Sequence, residues 1–121
     1  MRKKILVLDD NIDILEIVTM LLTDFGYEVK SLSSGETVFE EIKEFQPNLL
    51  IMDVMLADMN GIEICKEIKE NIHTALLPVI LMSGSHDLTK ILEHTGAPED
   101  FLEKPFDIDI LLSKIEEHIR I

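Results

Sequence analysis

Residues 5–11 read ILVLDDN, four branched apolar residues that run straight into two adjacent carboxylates, Asp9 and Asp10. Ile5-Leu6-Val7-Leu8 has the length and branching of a strand covered on both faces, as in a parallel sheet packed between helices. Such a strand can carry charge only at its end. Two acidic groups placed together at the rim of an apolar core need something positive beside them.

The same pattern repeats down the chain. Strand-like runs at residues 4–8, 27–32, 48–52, 78–82 and 101–103 alternate with helical spacing. The first helix is expected over 12–25, with Leu15, Val18, Leu22 and Phe25 on one face and Gly26 as its stop. The second starts at Ser33 or Ser34, Glu36 closing a capping box with Ser33, and ends before Pro47. The third follows Asn60-Gly61 and packs Ile64, Cys65, Ile68 and Ile72, and a fourth spans about 87–94. The last begins at an Asp107 cap and buries Ile108, Leu111, Leu112, Ile115 and Ile119. Strands and helices alternating over short connections predict right-handed crossovers and a three-layer, doubly wound α/β fold, with residues 1–121 as a single domain. In such a sheet ligands bind beyond the carboxyl ends of the strands.

Composition narrows the partners. With 24 acidic against 11 basic residues the net charge is −13, so a phosphate backbone or an anionic membrane would repel the chain. Direct nucleic-acid binding and membrane attachment are not expected. The apolar run after Met1-Arg2-Lys3-Lys4 is too short for a signal core or a membrane span, and the lone Cys65 fits a reducing compartment, so a cytoplasmic location is expected. The sequence ends at Ile121 with no effector domain, so the expectation is either a stand-alone domain that acts by protein docking or one excised from a longer chain.

The carboxyl edge of the sheet collects the chemistry. Asp9 and Asp10 follow the first strand, Asp53 the third, Ser83 the fourth and Lys104 the fifth. Two carboxylates about 5 Å apart repel by roughly 3 kcal/mol at an effective dielectric near 20, so three of them call for a cation. Lys104 supplies one positive charge, and a bound metal ion could supply the rest. All-oxygen ligation suits a hard ion such as Mg²⁺ better than Zn²⁺. An N-cap for the helix starting at Ile12 would explain the Asp9-Asp10 doublet alone, but not the coincidence of Asp53, Ser83 and Lys104 at the other strand ends. A calcium loop is excluded, because Ile14 and Met20 stand where a glycine and a glutamate are needed.

Taken in order, VLDDN, LLIMDVMLADMNG, VILMSG and FLEKPF closely resemble the motifs of receiver domains from bacterial two-component response regulators, along the whole chain. The resemblance implies a flavodoxin-like fold, a five-stranded parallel sheet of order 2-1-3-4-5 with five helices. It implies that Asp53 accepts a phosphoryl group from a histidine kinase or phosphotransfer protein. Asp9, Asp10, Asp53 and the Met55 carbonyl would hold Mg²⁺, and Ser83 and Lys104 would contact the phosphoryl oxygens. Ser83, Phe101 and Pro105 would form the switch that reports phosphorylation to a downstream protein, with the Lys104-Pro105 bond cis. Self-catalysed phosphoryl acceptance and slow hydrolysis, with no further enzyme activity, are the activities implied. Slow turnover also follows from Met55 and Ser85, which flank the expected path of an attacking water and offer no carboxylate or amide to orient it.

The sequence departs from the family pattern at Ala57, where proline is common, at Ser83, where threonine is more frequent, and in GAPEDF, which is one residue longer than usual. A Mg²⁺-dependent aspartyl phosphohydrolase is the alternative from the enzyme class, but such enzymes often carry a second aspartate at the position of Met55. A phosphorylation-independent pseudo-receiver is disfavoured by the complete set of Asp9, Asp10, Asp53, Ser83 and Lys104. Ser85-His86-Asp87 holds the residue types of a catalytic triad, but neighbours on one short segment cannot form the relay. His73, His86, His94 and His118 are expected to face solvent, as are Glu40-Glu41 and Glu116-Glu117, and Cys65 is expected to pack.

Overall fold

A computed structural model of the chain describes residues 2–56, 59–84 and 98–119. Five strands, β1 (Lys4–Leu8), β2 (Glu28–Leu32), β3 (Leu49–Asp53), β4 (Val79–Gly84) and β5 (Asp100–Lys104), form one parallel sheet of order β2-β1-β3-β4-β5. Four helices lie among the described residues: α1 (Ile12–Asp24), α2 (Val38–Phe45), α3 (Gly61–Glu70) and α4 (Ile108–His118). The helical segment expected over 87–94 lies outside the described residues.

The alternation of side chains along each strand sorts the core into two layers. Leu6, Leu8, Leu50, Met52 and Leu81 pack with Val38, Ile42, Ile64 and Ile68 of α2 and α3. Ile5, Val7, Ile51, Ile80 and Met82 pack with Val18, Leu22, Leu111 and Ile115 of α1 and α4. Both faces of the sheet are thus covered, and β1 and β3 read as unbroken apolar runs for that reason. The parallel register places Leu8 beside Met52, Asp53 beside Met82 and Gly84 beside Lys104. The residues that close these strands therefore emerge at one edge of the sheet.

Side-chain caps mark three helix starts. Asn11 accepts from the Ile14 amide, Asn60 from Ile62 and Asp107 from Asp109. The expected capping box at Ser33 does not form. The Ser34 hydroxyl accepts from the Glu36 amide at 3.1 Å, and α2 begins only at Val38, where the apolar spacing takes hold.

Other boundaries shift for similar local reasons. α1 ends at Asp24, so Phe25 leaves the apolar stripe and is 61% exposed. Gly26 takes a φ of 98° and Tyr27 donates back to the Leu22 carbonyl, which puts Tyr27 in the closing turn and delays β2 to Glu28. α3 stops at Glu70 and leaves Ile72 87% exposed. Ile108 and Ile119 flank the core half-buried, where full burial was expected.

Ile51 sits on the central strand with no solvent exposure, between Leu49, Ile80 and the α1 side of the core. Ile51→Ala should lower the unfolding free energy by about 3 kcal/mol in a urea titration, through lost burial plus the cavity left behind. A loss below about 1 kcal/mol would mean that this layer is not close-packed.

Candidate functional site

The end of β1 is fixed before any side chain acts. The Asp9 amide donates to the Leu32 carbonyl at 3.1 Å, tying the residue to β2. Its carboxylate is fully buried, with Oδ1 accepting from the Asn11 amide at 2.9 Å and Oδ2 from Lys104 Nζ at 2.7 Å. Asp53, the last residue of β3, is held in the same manner. Its Oδ1 accepts from the Met55 amide at 3.0 Å and its Oδ2 from Lys104 Nζ at 2.7 Å. One ammonium therefore bridges the first and third strands from the end of the fifth.

Asp10 is exposed, yet its carboxylate joins those of Asp9 and Asp53 in a cluster whose oxygens lie within 4.8 Å of one another. Among the described residues, three carboxylates face a single ammonium and leave an excess of negative charge. The donors are all oxygen, the set a hard divalent cation takes, and the edge is open on the Asp10 side.

Ser83 follows Met82, the register partner of Asp53, on β4. Its side chain is fully buried, and among the described residues Oγ has no hydrogen-bond partner. A buried hydroxyl without a partner costs on the order of 1–3 kcal/mol, so it marks a place where a further polar group belongs.

Lys104 is half-buried and its pKa is raised above that of a free lysine. Burial acts first and in the opposite direction. The hydrogen bonds and charges of Asp53 and Asp9 outweigh it.

The sequence placed Asp9, Asp10, Asp53, Ser83 and Lys104 at one edge, and the structure brings them there. Met55 forms an isolated antiparallel bridge with Asn60 and exposes 67% of its surface beside Asp53. Phe101 on β5 lies half-buried against the α2–α3 side of the core, and the Lys104-Pro105 bond is cis. Ser85, His86, Asp87, His94 and Ala57 lie outside the described residues. Burial, helped by Glu99 and opposed by Lys69, pushes the Cys65 thiol up to about 11, as suits a packing role.

Two polar networks were not legible in the residue types. The carboxylate of Asp100 accepts from the Phe101 amide, Lys114 Nζ at 2.7 Å and the His118 ring at 2.9 Å, so His118 is not the solvent-facing residue expected. The spacing of Lys114 and His118, one helical turn apart, was the available signal. Glu99 accepts from the Val79 amide and from Lys69, which also reaches the Leu77 carbonyl. Glu41, expected on a solvated face, pairs with Lys30.

The sequence profile described as the response regulator receiver domain matches residues 5–116. The DNA-binding response regulator MtrA of Mycolicibacterium paratuberculosis is 26% identical over 121 residues, which cover 99% of this chain and 52% of that protein. The alkaline phosphatase synthesis transcriptional regulatory protein PhoP of Bacillus subtilis is 32% identical over 107 residues, 88% of this chain and 44% of that one. The chain spans about half the length of these curated relatives. A crystal structure of a response regulator receiver domain protein from Clostridium thermocellum superposes with a TM-score of 0.87 at 30% identity, covering 97% of this chain and 94% of that one.

The raised Lys104 pKa fixes the sign of a pH effect. A group whose pKa is raised by folding adds stability that is complete below its unfolded value and is lost as pH climbs through the folded one. Wild type should therefore exceed Lys104→Met in stability by a constant margin from neutral pH up to the ordinary lysine value of 10.5, and the margin should shrink above it. Urea titrations at a series of pH values check this, and a margin that grew with rising pH would contradict it.

Proposed function

The chain belongs to the response regulator receiver family of two-component systems, and on that premise we propose that Asp53 accepts a phosphoryl group from a phosphohistidine of a kinase or phosphotransfer protein. The observation that carries this is the convergence on Asp53: a single ammonium 2.7 Å from its Oδ2, two further carboxylates within 4.8 Å, and a buried hydroxyl without a partner at the end of the next strand.

Transfer forms a bond from an Asp53 carboxylate oxygen to phosphorus and breaks the phosphorus–nitrogen bond to the donor imidazole, which keeps the electron pair. A carboxylate nucleophile has no proton to lose first, so no separate general base is needed. The chain's work is positioning and charge, as it is for phosphoryl transfer in general.

The Met55 amide holds one Asp53 oxygen in place. Lys104 already lies against the other and is placed to meet an oxygen of the incoming group. Ser83 supplies the hydroxyl that the phosphoryl group would satisfy. Asp9, Asp10, Asp53 and the Met55 carbonyl would hold Mg²⁺, and that ion, when bound, supplies positive charge to the phosphoryl oxygens.

Phosphorylation adds about −1.5 to −2 charges and strong acceptor oxygens at a site already short of positive charge. Ser83 and Lys104 would be drawn toward them. Phe101, two residues from Glu103 and three from Lys104 on the same strand, and Pro105 would carry the change to a surface that a downstream protein reads. The charge of −13 favours a protein partner over nucleic acid for these residues, and a cytoplasmic setting suits a kinase donor.

Incubation with acetyl phosphate and Mg²⁺ should add one phosphoryl group, a gain of about 80 Da by mass spectrometry. Asp53→Asn should abolish the gain, and so should chelation of the metal. An adduct that survives Asp53→Asn would overturn the assignment.

A further inference from the structure

Asn60 and Gly61 lie against the end of β3. Met55 bridges to Asn60, the Gly61 amide donates to the Val54 carbonyl at 2.8 Å, and α3 starts at Gly61. Asp53, Val54 and Met55 are thus backed by the first turn of a helix.

The fit at that point is unusually close. A Cβ on Gly61 would lie 2.3 Å from the Asp53 carbonyl oxygen, 2.9 Å from Val54 Cα and 3.1 Å from the Asp53 carbonyl carbon. All three are backbone atoms, so no rotamer change relieves the overlap. The φ of Gly61 is one that any residue adopts, since Gly26 is the glycine with positive φ among the described residues. What this position requires is the missing side chain, not the freedom of the glycine backbone.

Nor can β3 simply retreat. The Val54 amide donates to the Met82 carbonyl at 2.9 Å, and Asp53 pairs with Met82 across the ladder. Any side chain at 61 must push either the helix start outward or the 53–55 backbone sideways. The displacement needed to reach ordinary contact is about 1 Å.

We propose that Gly61 is a positioning residue, whose bare Cα lets α3 seat against the Asp53–Val54 backbone and so sets the direction in which the Asp53 carboxylate and the Met55 main chain face the crevice. The role rests on Asp53 being the phosphoacceptor. Reacting groups must be held to within about 0.5 Å, and a misplacement near 1 Å costs on the order of 100-fold in rate.

Gly35 provides the comparison. A Cβ there would meet Ile64 Cδ1 and Met59 Sδ at 3.0 Å, which are the far ends of flexible side chains. Gly35→Ala should leave phosphorylation within about twofold of wild type.

The test uses the whole chain in two states. Without metal or phosphodonor, Gly61→Ala should remain folded by circular dichroism and shift the Met55 amide resonance, whose proton is donated to Asp53 Oδ1. With acetyl phosphate and Mg²⁺ it should label about 100-fold more slowly than wild type or Gly35→Ala. Unchanged Met55 resonance with labelling within threefold of wild type would overturn the proposal. So would loss of the folded state in Gly61→Ala, because the whole cost would then lie in stability. If wild type itself takes no label at Asp53, the phosphoacceptor assignment fails, and the Met55 resonance still decides whether Gly61 sets the loop.

Discussion

One ammonium, Lys104 Nζ, lies 2.7 Å from the buried carboxylates of both Asp9 and Asp53. The geometry of the site follows from that triangle. Asp9 ends β1, Asp53 ends β3 and Lys104 ends β5, so the contact ties together three strands that are not all neighbours in the sheet. Buried like charges cannot stand side by side without a cation between them. The register of the parallel sheet is what delivers that cation, because Gly84 pairs with Lys104 while Asp53 pairs with Met82.

The compensation is incomplete by construction. Among the described residues, Asp10 adds a third carboxylate with no ammonium of its own in the cluster, and Ser83 adds a hydroxyl with no partner. A core built only for stability would leave neither. Both lie at the carboxyl edge of the sheet, and on the proposed function the excess negative charge would be met by a hard cation and the hydroxyl by a phosphoryl oxygen. Aspartate oxygens held by the backbone amides of Asn11 and Met55 cannot swing away to relieve their own repulsion. On the other side, the Cα of Gly61 packs directly against the Asp53–Val54 backbone.

Much of this was written in the chain. The strand assignments for β1 and β3 followed from apolar runs that only a sheet covered on both faces permits, and the convergence of Asp9, Asp10, Asp53, Ser83 and Lys104 followed from reading the residue after each strand. The sheet order came from family resemblance rather than from periodicity, which does not encode it. Boundaries were less legible where local hydrogen bonds competed with the apolar stripe. Ser34 made a turn instead of a cap, and Tyr27 closed α1 instead of opening β2. The Asp100–Lys114–His118 and Lys69–Glu99–Val79 networks were hidden because their partners meet only through the fold. Gly61 was visible only as a helix-start glycine, since its close approach to Asp53 is a distance and not a motif.

On the proposed function, Asp9, Asp10 and Asp53 would act together as one cation site that Lys104 only partly satisfies. Calorimetric titration of Mg²⁺ into wild type and into Asp9→Asn combined with Asp10→Asn separates the two cases, one shared site or none. Removing two of the three charges should weaken binding by more than about tenfold, since hard-cation affinity scales with the carboxylate charge presented. Equal affinity in the two proteins would mean that the three carboxylates do not form one cation site.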